Sequence, residues 1–259
     1  GAVLQLEETD RILNCPYCGV KSIIYSPDYF RYVLPDNAPG KDLIYAPYLR
    51  FKGSVYLCRG LSLEHRIIDI THLGIEFNGI PVSLGLRPQA MRLRFLNPEH
   101  KGSFLKFSLK AIDILTRAAR LSSGPSMQGI LHRAFIGETM SIIYLPMYLA
   151  ENRLFDGILN RPISSLPRGQ EDFETMITER YVRGPGFISA LCPRCGWKLD
   201  GERDSVVLMC RNCTTAWEIR KGKLEGLDLS IVKGLKPGSL FIPFWKITAG
   251  VNGIEIETY

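Results

Sequence analysis

Leu43-Ile44-Tyr45-Ala46-Pro47-Tyr48-Leu49-Arg50-Phe51-Lys52-Gly53-Ser54-Val55-Tyr56-Leu57 decides how this chain folds. Aromatic and β-branched residues crowd both sides of Lys52-Gly53, a turn signal, so the stretch reads as a β-hairpin. Two other stretches look alike. Ile142 to Asp156 carries Tyr144-Leu145-Pro146-Met147-Tyr148 and a turn at Glu151-Asn152. Leu240 to Val251 carries Phe241-Ile242-Pro243-Phe244-Trp245. In each, an apolar pair precedes a proline and aromatics or Met follow it. The prolines fall 99 and 97 residues apart. Proline cannot donate to a ladder, so each should mark a strand start, an edge or a bulge. The three segments are expected to be equivalent hairpins of one β core, an internal repeat.

Outward from these hairpins the pattern is mixed. Val20 to Tyr25 reads as a strand, 35–42 as a loop, and 63–96 alternates in strand fashion. Ser103 is a candidate N-cap for a helix from Phe104 to Leu121, stopped by Gly124-Pro125. Shorter helices are expected over Ser126 to Phe135 and Gln170 to Tyr181. The expected fold class is α+β: a strand-rich core with the three hairpins and a short helical segment. The expected divisions are a knuckle and β segment over 1–86, a basic helical segment over 87–140, and a hairpin with a short helix over 141–189. A cysteine-rich module over 190–222 and a last hairpin over 223–259 complete them.

That module holds Cys192-Pro193-Arg194-Cys195-Gly196 and, fourteen residues on, Cys210-Arg211-Asn212-Cys213. Two C-x2-C pairs at this separation have the spacing of a tetrahedral zinc site. Each pair points two thiolates at one metal. Pro193 pre-sets the turn, and Gly196 suits the positive φ that ends it. Over residues 190–220 the pattern resembles the zinc-ribbon family, with its rubredoxin-type knuckles. The resemblance implies a structural zinc and an interaction with protein or nucleic acid. The second knuckle lacks the Pro and Gly of the first, which argues against rubredoxin-like iron. Four thiolates close the coordination shell, so no reaction is expected at the metal.

Cys15-Pro16-Tyr17-Cys18-Gly19 is a further knuckle sequence, and no second pair follows at ribbon distance. A second zinc site of Cys15, Cys18, Cys58 and His65 would require the fold to bring residues 58–65 back to the knuckle. Residues 87–133 hold nine Lys or Arg against two acids, whereas the whole chain carries +6. Such a patch is the footprint of phosphate-backbone binding, with Arg87, Arg92, Arg94, Lys106, Lys110 and Arg117 as the candidate contacts. Its bland counterpart is a solvated helix face, with Asp113 paired between Lys110 and Arg117.

No dinucleotide, P-loop or nucleophile-elbow motif is present; Ser83 follows Pro81-Val82, where an elbow needs glycine. The expected function is a non-catalytic, zinc-stabilised interaction or scaffold protein with a protein partner. The alternatives are a nucleic-acid-binding protein and an enzyme of unknown type. Seven cysteines, mostly at C-x2-C spacing, suit reduced metal-binding thiols and a cytoplasmic location. The most apolar run, Met140 to Ala150, is too short for a membrane helix, which needs about 20 residues. The opening Gly1 is expected to be a scar of tag removal on a piece of a longer protein.

Overall fold

In a computed structural model, which describes residues 8, 10–17, 19–122, 129–165, 177–178, 184–230 and 244, the opening stretch is one unbroken strand. The elements in chain order begin with β1 (Ile12–Asn14), β2 (Lys21–Tyr25), β3 (Phe30–Val33), β4 (Leu43–Arg59) and β5 (Ser62–Leu73). Then come α1 (Arg87–Ala90), β6 (Arg94–Phe95), β7 (Ser103–Leu105), α2 (Ala111–Ser122), β8 (His132–Ala150), β9 (Arg153–Asp156) and β10 (Arg161–Ser165). The remainder are β11 (Ile177–Thr178), β12 (Gly186–Ser189), β13 (Val207–Cys210), β14 (Thr215–Arg220) and β15 (Lys223–Leu227). With two short helices among the described residues, the architecture is predominantly β rather than α+β, and its ladders are mostly antiparallel.

β4 and β8 form the axis of a nine-stranded sheet, antiparallel from Leu43↔Tyr148 to Cys58↔His132. Lys52-Gly53 is therefore not a turn. It is a β-bulge: Lys52 faces Thr139 and Gly53 faces Gly137, so Glu138 is the extra residue. The glycine serves close approach here. A Cβ on Gly53 would lie 2.4 Å from the Ile136 carbonyl oxygen and 2.5 Å from Gly137 Cα. The hairpin turn comes later, at Gly60-Leu61, where Gly60 takes a positive φ between Arg59 and Ser62. The turn at Glu151-Asn152 falls where the sequence places it, with both residues at positive φ (50° and 56°).

Two of the three prolines meet across the axis. Tyr45 faces Pro146, Ala46 faces Leu145, and Pro47 faces Tyr144. Both sit in central strands, contrary to the expected edge or strand start, and the reason is topological. On its outer side β4 pairs with β7 up to Tyr45 and with β5 from Tyr48. Likewise β8 pairs with β3 up to Tyr144 and with β9 from Met147. Each missing N–H falls where the outer partner changes, and each carbonyl still accepts an outside amide: Gly74 N at Pro47 O and Gly157 N at Pro146 O, both 2.8 Å. The third segment, 240–251, lies outside the described residues apart from Phe244.

Ala46, Tyr48, Ile143, Leu145, Met147 and Leu154 are almost wholly buried and form the main core. The expected helix from Phe104 is corrected: Ser103–Leu105 is a strand, and the helix starts at Ala111. Phe104 stacks on Tyr45 (centroids 4.7 Å) and packs edge-on to Tyr144, so tertiary packing overrides the helical spacing. α2 lays Ile114 and Leu115 against the β4–β5 face that carries Leu49 and Phe51. Of the expected helix over Ser126 to Phe135, residues 132–135 belong to β8. Of that over Gln170 to Tyr181, the described Ile177–Thr178 is a strand on β7. Of 63–96, β5 and β6 are strands, and the run between them is loop with one turn of helix.

Two three-stranded sheets lie apart from the axis: β1-β2-β12 and β13-β14-β15. Residues 1–227 form one compact unit and 228–259 a second, of which 228–230 and 244 are described. Among the described residues no helix is long and apolar enough to cross a membrane.

Candidate metal centre

The first knuckle follows β12. Cys192 N donates to Trp197 O (2.7 Å) and Gly196 N donates to Cys192 O (2.8 Å), with Gly196 at φ +73°. The second ends β13: Thr214 N donates to Cys210 O (2.9 Å). Thr214 takes the positive φ (56°) that the glycine supplies in the first, at a cost on the order of 1 kcal/mol. The knuckle thus forms without its Pro and Gly.

The two turns bring four sulfurs together. Cys192 Sγ lies 3.6 Å from Cys213 Sγ, and Cys195 Sγ lies 3.5 Å from Cys210 Sγ. All four lie within 4.8 Å of one another. A tetrahedron with Zn–S of about 2.3 Å has S···S edges of roughly 3.8 Å, so the donor set fits a zinc-sized ion. Cys192 and Cys210 are buried, Cys213 is half-buried and Cys195 is exposed.

The electrostatics suit a cation once the thiols ionise. Burial pushes the Cys192 thiol up, but the Cys195 and Arg194 backbone amides and Thr215 more than reverse this, bringing it to about 6. Cys195 is held down by the Asn212 side chain. Cys213 is helped down by Thr215, yet burial and the three neighbouring cysteines push it up to about 11. Four adjacent thiols cannot all ionise without a positive charge among them.

Thr215 and Trp217 make a shell that sequence reasoning missed. The Thr215 hydroxyl lies 3.1 Å from Cys213 Sγ and accepts the Trp217 Nε1 hydrogen at 2.9 Å. Their adjacency to Cys213 was the available signal. The module is anchored to β1-β2-β12, where Ile12, Ile23, Ala190, Leu199 and Leu208 pack around Cys192 and Cys210. Buried Asp10 pairs with Arg203, and Lys21 with Asp200 (3.4 Å). A cavity of about 200 Å³ lies between the two sheets, walled by Ile24, Tyr25, Phe30 and Ile219 with Arg11 and Lys221 at its edges. None of the residues lining it is an acid, a histidine or a cysteine.

The remaining candidates are dispersed. Cys15 N donates to Val20 O (3.0 Å) and Gly19 N to Cys15 O (2.9 Å), with Gly19 at φ +65°, the bond pattern of the first knuckle. Cys18 lies outside the described residues. Cys58 and His65 lie near the tip of the β4–β5 hairpin, where the Cys58 thiol donates to Gly60 O (3.5 Å) and His65 stacks on Tyr56. Among the described residues, Cys15, Cys58 and His65 do not form a metal-sized group; Cys192, Cys195, Cys210 and Cys213 do.

The basic residues do not share one helical stripe. Lys106 and Lys110 precede α2, and Arg87, Arg92 and Arg94 lie in or beside α1 and β6. Arg87 is bound to buried Asp156 (2.6 Å) and Arg117 to Glu76 (2.7 Å), which holds the Glu76 carboxyl down. Arg92, Arg94, Lys106 and Lys110 are exposed. A buried polar cluster also escaped the sequence: Arg50 grips Asp69 through two bonds (2.9 and 2.8 Å) and Glu8 through a third. Gln89 donates to Asp69 and Ser141 to Glu8.

No protein-family model, curated protein or solved structure matches this chain.

Proposed function

We propose that the protein is a non-catalytic, zinc-stabilised interaction protein whose ribbon-like module, similar to the zinc-ribbon family over 190–220, presents a docking surface to a protein partner. The supporting observation is a cluster of four cysteine sulfurs whose knuckle is flanked by exposed apolar side chains. Trp197 follows the first knuckle and Tyr17 sits in the Cys15 knuckle, and both rings are exposed. Leu191 and Val20 are exposed beside them: Leu191 bridges to Lys198, and Ala190 N donates to Lys21 O. Exposed aromatic and aliphatic groups on a rigid frame are the usual anchors of a protein interface. The zinc supplies folding energy to a module whose own core is small. Residues Cys15 and Cys18 are a second candidate site, since the backbone bonds of Cys15 with Val20 and Gly19 repeat those of the first knuckle. Thiolate ligands suit a reducing, cytoplasmic setting.

The test pairs Trp197→Ala and Tyr17→Ala with partner recovery by cross-linking from the source cells. A partner recovered by the parent and lost by the variants, with zinc content unchanged, supports the reading. Recovery unaffected by either change refutes it. The nucleic-acid reading rests on Arg92, Arg94, Lys106 and Lys110, because Arg87 and Arg117 are already paired. Binding to random DNA or RNA that falls steeply with salt, and falls further in Arg92→Ala/Arg94→Ala, would move the assignment there.

A further inference from the structure

Among the described residues, nothing pairs with the outer edge of β5 over its first half. β5 has one partner among the described residues, β4, which covers its inner edge in an unbroken ladder from Ser62 to Leu73. At its far end Leu73 N donates outward to Val82 O (2.8 Å), and Leu84 N donates to Thr71 Oγ1 (2.9 Å). Segment 82–84 therefore covers the edge at 71–73. The Leu73 bond also fixes the parity: amides alternate along a strand, so Thr71, Asp69, Ile67, His65 and Leu63 all turn their N–H and C=O outward.

Along 62–68 this edge carries one guarding charge of each sign, Glu64 and Arg66, which balance rather than repel. It holds no proline, lysine or bulge, the usual guards of an unpaired strand. Leu63 is 69% exposed and Ile67 is 80% exposed. They share a face with Ile136, also exposed, across Ser54. The opposite face is closed by α2, against which Ile68 and Ile70 pack.

We propose that this edge pairs with the same edge of a second copy, antiparallel, with the two-fold axis on His65. In that register Leu63 meets the second copy's Ile67, and Glu64 meets its Arg66, each contact occurring twice. His65 meets itself in a narrow pair, which suits its outward-facing amide. Leu63 and Ile67 also face outward, so about six main-chain hydrogen bonds close the joint. Charge selects the register. Moving the axis one residue either way sets Glu64 against Glu64 or Arg66 against Arg66, and like charges directly opposite are unfavourable. Moving it to Ile67 sets Leu63 against Thr71, where segment 82–84 already lies. Glu64 also contacts Arg59 of its own chain (3.3 Å) and remains open to solvent.

The test is the mass of the zinc-loaded full chain in solution across concentration, by sedimentation velocity, with hydrogen exchange at the amides of 63, 65 and 67. The parent forms a dimer whose exchange at these amides slows with concentration. Arg66→Glu, at an exposed position, sediments as a monomer with unchanged zinc content and circular dichroism. Glu64→Arg/Arg66→Glu restores the dimer, which a merely misfolded single variant would not do. A monomeric parent overturns the proposal, as does a dimer indifferent to Arg66→Glu. A monomer with slow exchange at 63, 65 and 67 also overturns it, placing another segment of the chain on the edge. So does a parent that pairs this edge with a different protein.

Discussion

Arg50 is the point at which a single change should do the most damage away from the cysteines. Its side chain is 6% exposed, between Glu8 at 14% and Asp69 at 24%. Burial pushes the Asp69 carboxyl up, and hydrogen bonds from Arg50 and Gln89 more than reverse this, holding it below the usual carboxylate range. Arg50→Met keeps most of the buried volume and removes the cation. Two carboxylates are then left in a largely dry site. Removing one partner of a buried pair costs about 3–5 kcal/mol, and the partial exposure of Asp69 sets the expectation near 3. At a urea slope of roughly 1–3 kcal/mol/M, the midpoint falls by at least about 1 M. The pH dependence has a definite sign. In the parent, Asp69 has a lowered folded pKa, so its contribution is present at neutral pH and is lost as pH falls through that value. In the variant the Arg50 bonds are gone and only Gln89 and Lys52 still oppose burial, so the Asp69 carboxyl is held down less than in the parent and contributes less stability at neutral pH. The difference between parent and variant is therefore largest at pH 7 and shrinks toward pH 4. Release of any metal held by the four cysteines would be common to both proteins and cancel in this difference. Urea unfolding at several pH values measures it. A penalty under about 1 kcal/mol at pH 7, or one that does not change with pH, would refute the reasoning.

Two other changes probe the bulge and the metal shell. Gly53→Ala drives a methyl into the backbone of the facing strand, so we expect a loss of about 1–3 kcal/mol by chemical denaturation, against under about 0.5 for neighbouring Ser54→Ala. Equal effects would show that the strands part freely there. Thr215→Val removes the hydroxyl between Cys213 and Trp217, and zinc affinity in a chelator competition should fall about 10–100-fold. An unchanged affinity would mean the hydroxyl does not tune the thiolate.

The parts of this protein visible in its sequence were those set by local chemistry. The C-x2-C spacing placed four sulfurs around one point, and Glu151-Asn152 marked a real turn because both residues tolerate positive φ. The misreadings came where distant residues decide. Lys52-Gly53 has the composition of a turn, yet Gly137, far along the chain, offers a facing glycine and the strand runs on through a bulge. Phe104 to Lys110 is spaced like a helix, but Tyr45 and Tyr144 hold Phe104 in a strand. Arg87 has no acid nearby in sequence, and its partner Asp156 arrives from the β8–β9 hairpin. Glu8 reaches Arg50 across 42 residues, a pairing that no local pattern reveals.

The central claim is that Cys192, Cys195, Cys210 and Cys213 together hold one metal ion as thiolates. X-ray absorption at the zinc edge on the freshly purified, reduced 259-residue chain tests it most directly. The expected result is a shell of four sulfurs at about 2.3 Å, abolished by Cys192→Ser/Cys210→Ser. A shell of nitrogen or oxygen, or metal-free protein with a disulfide inside either pair, would contradict it.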